Sequence, residues 1–183
     1  MILERAKFIH KFVQSPREIG SITPSSRFLA HAMLKDIPWN QMKTIVELGA
    51  GTGVFTREIA KKVSLPTQTL IFEQDDDLRK DLEGQIPQFT YLKKAEELNH
   101  TLKQLHIPNV DAIISGLPFS NFSQSFTQEI LDQVQSSLSE NGSFITYQYS
   151  LHLRKELKNR FKNVQIDFVP WNLPPTFVYI CTH

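Results

Sequence analysis

The chain has 183 residues, 40% of them hydrophobic, which is enough for one compact domain with its own core and too little for two. Lysine and arginine total 20 against 19 acidic residues, and the net charge of +1 excludes a global field that would draw the protein onto nucleic acid. The single cysteine, Cys181, excludes an internal disulfide; with no charged leader opening the sequence and no apolar run near the roughly 20 residues a bilayer span needs, the expectation is a cytoplasmic protein whose membrane contact is at most peripheral.

The first element is amphipathic. Ile2, Ala6, Ile9 and Val13 recur at helical spacing with Phe12 beside them, while Lys7, His10, Lys11 and Gln14 take the other side. Across residues 1–35 six basic residues stand against two acidic ones, so positive charge is concentrated there in a nearly neutral chain. Such a helix can lie in the interface of an anionic bilayer or pack on the protein as a lid over a cofactor, and the pattern fits both. We therefore divide the chain into a helical lid or membrane-contact segment, 1–35, and a main domain, 36–183.

From Met42 onward short apolar runs alternate with amphipathic segments, the pattern of a parallel sheet covered by helices on both faces. The first strand, 44–48, runs directly into Gly49-Ala50-Gly51-Thr52-Gly53, and a helix is expected over 54–63. Glycines suit a sharp reversal whose backbone must come within contact distance of a ligand. The spacing is G-x-G-x-G preceded by Glu47, not the G-x-G-x-x-G of a pyrophosphate site. An acid there repels an anion and suits a sulfonium with an aminoacyl tail, which favours S-adenosylmethionine over NAD. Glu73 ends the second strand, 69–73, where a carboxylate can accept from both ribose hydroxyls. Gln74 beside it, Ala95 and Glu96 after the third strand (89–92), and Ser115 at the end of the fourth (110–115) complete the expected cofactor contacts with Glu47, Gly49, Gly51, Thr52, Gly53 and Glu73. The acids Asp75, Asp76 and Asp77 fit the positive end of a helix over 76–82, and the six histidines lack ligand spacing, so no metal is expected.

Further helices are expected over 95–105, 125–138 and 152–161, with a fifth strand over 143–149. The last two strands, 164–169 and 177–181, are joined by too few residues for a crossover helix and must pair antiparallel. The fold expected is α/β, a Rossmann-like seven-stranded methyltransferase sheet with its last strand antiparallel and amphipathic helices at the N-terminus. Phe119, Tyr147, Tyr149 and Trp171 all fall near the strand ends where doubly wound sheets bind ligands. Aromatic faces attract ammonium groups, though Phe119 and Trp171 could equally be core. Tyr147 and Tyr149 flank Gln148 and should share one face of the strand.

Three segments carry a family resemblance: residues 16–26 (Pro16-Arg17-Glu18-Ile19-Gly20-Ser21-Ile22-Thr23-Pro24-Ser25-Ser26), residues 115–122 (Ser115-Gly116-Leu117-Pro118-Phe119-Ser120-Asn121-Phe122), and Asn172-Leu173-Pro174-Pro175 followed by Val178-Tyr179. Together these resemble the small soluble bacterial phospholipid N-methyltransferases, and more distantly the rRNA adenine dimethyltransferases. The first resemblance implies a phosphatidylethanolamine acceptor, an anionic membrane surface on the cytoplasmic side as partner, a monomer, and no nucleic acid. It also implies acceptor contacts at Thr23, Ser25, Pro118, Phe119 and Trp171, with Tyr147 and Tyr149 orienting the amine. Against the adenine enzymes, Ser115 stands where they carry Asn or Asp, and Gly116 and Leu117 precede Pro118.

Overall fold

A computed structural model describes residues 24–64 and 66–183. Its elements are α1 (Pro24–Leu34), β1 (Thr44–Leu48), α2 (Val54–Lys62), β2 (Gln68–Phe72), α3 (Asp76–Gln85), β3 (Thr90–Leu92), α4 (Leu98–Gln104), β4 (Val110–Ser115), α5 (Gln124–Ser137), β5 (Leu138–Gln148), α6 (Arg154–Arg160), β6 (Asn163–Val169) and β7 (Thr176–Thr182). The strands form one seven-stranded sheet in the order β3-β2-β1-β4-β5-β7-β6, with β7 antiparallel to both neighbours. The expected architecture is thus observed.

Burial explains the strand composition. All five residues of β1 are buried, because helices cover both faces of the central sheet. Side chains alternate between two cores. On one face Val46, Leu48, Phe72, Ile113, Phe144 and Tyr179 meet residues of α4, α5 and α6. On the other, Ile45, Ile71, Ile114, Ile145 and Val178 meet α1, α2 and α3. Leu29, Ala30, Met33 and Leu34 of α1 belong to that second core, so the later part of α1, within the expected N-terminal segment, packs on the sheet. The amphipathic stretch 1–13 lies outside the described residues. Among the described residues no helix is long and apolar enough to cross a membrane.

Local signals set the helix starts. The Asp75 carboxylate caps α3 by accepting from the N–H groups of Asp77 and Leu78, and the Ser123 hydroxyl caps α5 by accepting from Phe126. The acidic run therefore has a structural role, and Asp76 is held near pKa 2 by Lys93 and Arg79. Several expected boundaries differ. β5 begins at Leu138 and not at 143, because the polar stretch Ser139–Gly142 is carried through a register shift opposite Val110 and Ala112. The helices expected from 95 and 152 each open with a 3-10 turn, at Ala95–Glu97 and Leu151–Leu153.

Leu48 pairs with Phe72 and Ser115, Ser115 with Thr146, and Gln148 with Phe177. One edge of the sheet therefore gathers the ends of β1, β2, β4 and β5 with the β6–β7 turn. The strand order reverses between β1 and β4, which is where open α/β sheets leave a crevice.

Candidate functional site

The loop after β1 is built on three glycines with positive φ, at 76° for Gly49, 54° for Gly51 and 80° for Gly53. Its start is tied to β2 by Gly49 and Ala50, whose N–H groups both donate to the Phe72 carbonyl. Its middle is tied to Glu73: the Gly51 N–H donates to Oε2 at 2.6 Å and the Asp75 N–H to Oε1 at 2.9 Å. A carboxylate has about four acceptor sites, so Glu73 keeps capacity for further donors while it pins the loop. On the far side the Arg57 guanidinium donates to the Thr52 carbonyl at 2.6 Å.

A Cβ on Gly51 would meet nothing within 4 Å, whereas on Gly53 it would sit 2.2 Å from Leu82 Cδ2. Gly53 therefore abuts Leu82 of α3, and Gly51 borders open space. Beneath the loop, Glu47 is fully buried; the Thr56 hydroxyl donates to its Oε2 at 2.7 Å, and Oε1 has no partner. Burial pushes the Glu47 carboxyl up to about 7 despite that hydrogen bond, with Glu73 adding in the same direction. An unpartnered buried acceptor beneath a loop with open space above Gly51 suits a ligand carrying positive charge, so these residues fit the expected cofactor.

A second loop closes on the first. The Gly116 N–H donates to the Leu48 carbonyl at 2.8 Å, and a Cβ at Gly116 would lie 2.6 Å from the Gly49 carbonyl oxygen. Gln148 reaches across to donate to the Leu117 carbonyl at 3.1 Å, linking β5 to this loop. Gly116, Gln148, Thr56 and Arg57 hold these loops and Glu47 in place, and the sequence reading did not select them. Gly116 directly after a buried strand, like Gly49, was the one available signal.

Of the expected cofactor residues, Glu47, Gly49, Gly51, Thr52, Gly53 and Glu73 come together. Gln74 is exposed beside Glu73, and Ala95 and Glu96 form the half-buried 3-10 turn after β3. Ser115 is wholly buried, and its hydroxyl accepts from the Leu117 N–H at 3.3 Å.

The expected convergence of four aromatic residues is only partly realised. Tyr147 and Tyr149 do share a face, with ring centroids 5.9 Å apart and edge to face, and Tyr147 also lies 5.9 Å from Phe55 at the start of α2. Burial raises both phenol pKa values, so neither tyrosine is a phenolate base near neutral pH. Phe119, by contrast, is core: it is 3% exposed and stacks edge to face on Phe122, on the opposite side of the sheet from Tyr147. Trp171 stands in the β6–β7 turn, 74% exposed. Pro118 is half-buried at the start of its loop, and Ser25 lies in the first turn of α1. Thr23 lies outside the described residues. Burial pushes the Cys181 thiol up to about 12, which leaves no nucleophile there.

The chain matches the Methyltransferase small domain family over residues 19–168. It is 30% identical over 179 residues to an ornithine lipid N-methyltransferase of Singulisphaera acidiphila, covering 95% of this chain and 93% of that protein. A tRNA1(Val) (adenine(37)-N6)-methyltransferase of Tolumonas auensis is 27% identical over 82 residues, 45% of this chain and 35% of that one. Among solved structures, a SAM dependent methyltransferase from Archaeoglobus fulgidus superposes with a TM-score of 0.69 at 14% identity, covering 94% of this chain and 99% of that one.

Proposed function

The chain belongs to the Methyltransferase small domain family, and from that premise we propose that it transfers a methyl group from S-adenosylmethionine to the primary amine of a membrane lipid, with phosphatidylethanolamine as acceptor and phosphatidylcholine as the end of the series. When bound, S-adenosylmethionine supplies a methyl group already activated on a positively charged sulfur. The chain's own residues then have to bind, orient and exclude water.

Glu47 offers a buried acceptor beneath the loop, Gly51 leaves the space above it, and Glu73 offers a carboxylate for the ribose hydroxyls. Glu73→Ala should weaken S-adenosylmethionine by at least about tenfold in calorimetry, since the hydroxyl pair loses its acceptor and the loop its tether. Wild-type affinity in that variant would remove Glu73 from the cofactor site.

The observation that carries the acceptor assignment is the Phe55–Tyr147–Tyr149 cluster at the end of β5. Its faces attract an ammonium by about 0.5 to 2 kcal/mol, and its hydroxyls stay protonated and can orient an amine lone pair. Ser115 supports the same reading, because a wholly buried hydroxyl stands where the adenine enzymes carry the Asn or Asp that grips a base amine. The relative aligned along nearly the whole chain is named for a lipid amine acceptor. On this reading the protein works peripherally, at the inner face of the membrane that holds its acceptor.

With phosphatidylethanolamine in mixed micelles, label from the methyl donor should appear in mono- and then higher-methylated lipid, and unmodified RNA should stay unlabelled. Tyr147→Phe and Tyr149→Phe should lower kcat by about tenfold with little change in KM, and alanine should damage both. Label in RNA and none in lipid would overturn the acceptor assignment.

A further inference from the structure

Four of the six exposed large apolar side chains among the described residues fall in one stretch: Leu151 at 41%, Phe168 at 56%, Trp171 at 74% and Leu173 at 77% exposure. Trp171 and Leu173 occupy the β6–β7 turn, between the paired residues Val169 and Thr176. The turn is constructed to show them. Asn172 between them is buried and its side-chain amide donates to the Pro174 carbonyl at 2.8 Å, so its two neighbours face outward. Leu151 follows the end of β5 at the same sheet edge, and Phe168 rests on Phe177 with centroids 5.1 Å apart.

Beside this strip α6 presents Arg154, Lys155 and Lys158, all exposed. With Leu151 and His152 they line one shallow depression, and none of the three forms an ion pair among the described residues, whereas Arg160 is neutralised by Asp132 and Glu156. Exposed apolar groups next to unpaired cations match the surface of an anionic bilayer: apolar tips for the head-group boundary, cations for lipid phosphates. A tryptophan at such a tip is amphipathic and suits that boundary.

We propose that the β6–β7 turn and the start of α6 form the face with which the protein docks on an anionic membrane, Trp171 and Leu173 entering the head-group zone and Arg154, Lys155 and Lys158 meeting lipid phosphates. The proposal rests on the lipid-acceptor reading and deepens it. The turn lies at the sheet edge that carries the glycine loop, three strand spacings along, or about 15 Å. A lipid in the leaflet that holds the turn can therefore present its head group to the Gly49–Gly53 loop without leaving the membrane.

The test uses the full chain and vesicles of phosphatidylglycerol and phosphatidylcholine in equal parts, which contain no primary amine. Leu151→Ser with Leu173→Ser should lower the partition coefficient at least about tenfold. Lys155→Gln and Lys158→Gln should each lower it about fivefold, and salt should weaken binding by the parent chain. Vesicles should also shift the emission of the parent chain to the blue, and Trp171→Phe should abolish that shift, leaving only Trp39. Methylation of phosphatidylethanolamine in detergent micelles by the leucine and lysine variants should match the parent. Unchanged partition in both sets overturns the proposal, as does an emission that vesicles do not move. Absence of micellar methylation in the parent chain would sink the acceptor reading by itself, while the partition result still decides the docking face.

Discussion

Replacing Gly51 with Val should leave a folded protein that no longer binds S-adenosylmethionine. The space around a Cβ at this position is empty of protein atoms to 4 Å, so the folded chain alone meets no clash. The cost to folding comes from φ, which at 54° is left-handed backbone that a β-branched residue adopts only under strain, about 2 kcal/mol. In a domain of this size that lowers Tm by about 6 °C. The isopropyl group fills the space that the ligand needs, and affinity should fall by more than about a hundredfold in calorimetry. Gly116→Ala gives the opposite balance. Its methyl would press on the Gly49 carbonyl oxygen at 2.6 Å, against backbone that cannot swing aside, and should destabilise the fold by about 2 to 4 kcal/mol before any ligand is considered. Cofactor binding by Gly51→Val at the parent affinity would mean that the loop does not border the ligand, and the site would have to be sought elsewhere on the edge.

The two glycines also mark how far the sequence could be read. Gly51 was legible because everything that defines it is local: a buried strand, a turn that needs positive φ, and a helix, all within residues 44–62. The strand bounds of β1 and β4 were legible for the same reason, since a parallel strand buried on both faces reads as one apolar run. The shared face of Tyr147 and Tyr149 followed from strand alternation alone. Gly116 carried only the weaker signal of a glycine after a buried strand, because its need for hydrogen in place of a side chain arises from the Gly49 carbonyl, far away in sequence. Phe119 and Trp171 carried the same signal, an aromatic residue in a loop at the ligand edge. Only tertiary packing separates them: Phe122 and the core behind it take up Phe119, whereas nothing among the described residues covers Trp171. The polar start of β5 fell outside the expected strand, 143–149, because Ser139, Glu140, Asn141 and Gly142 show no apolar alternation, whereas Leu138 pairs with Val110 across a register shift.

Glu47 carries the other large expected effect, and it is a pH dependence. Burial holds its carboxyl at about 7, against about 4.3 for a free glutamate. The folded state therefore binds this proton more tightly than the unfolded chain. The stabilisation is complete below about pH 4, is lost as pH rises through about 7, and amounts to about 3 kcal/mol. Glu47→Gln keeps the shape and cannot ionise. Its stability should show no loss at this site across that window, so the variant should exceed the parent by about 3 kcal/mol near pH 8 and match it near pH 4. Cofactor binding should move the other way. The ionised carboxylate attracts a sulfonium and an ammonium, so the parent's affinity should climb by up to about tenfold per pH unit below 7 and then level, with one proton released on binding. Glu47→Gln should show neither the climb nor the proton release, and should bind more weakly at all pH values above about 7. Urea unfolding of both proteins at several pH values, with calorimetry in buffers of different ionisation enthalpy, measures both halves. A stability gap that does not widen with pH would show that the carboxyl is not held neutral beneath the loop. An affinity gap that does not widen would show that it does not face the bound cation.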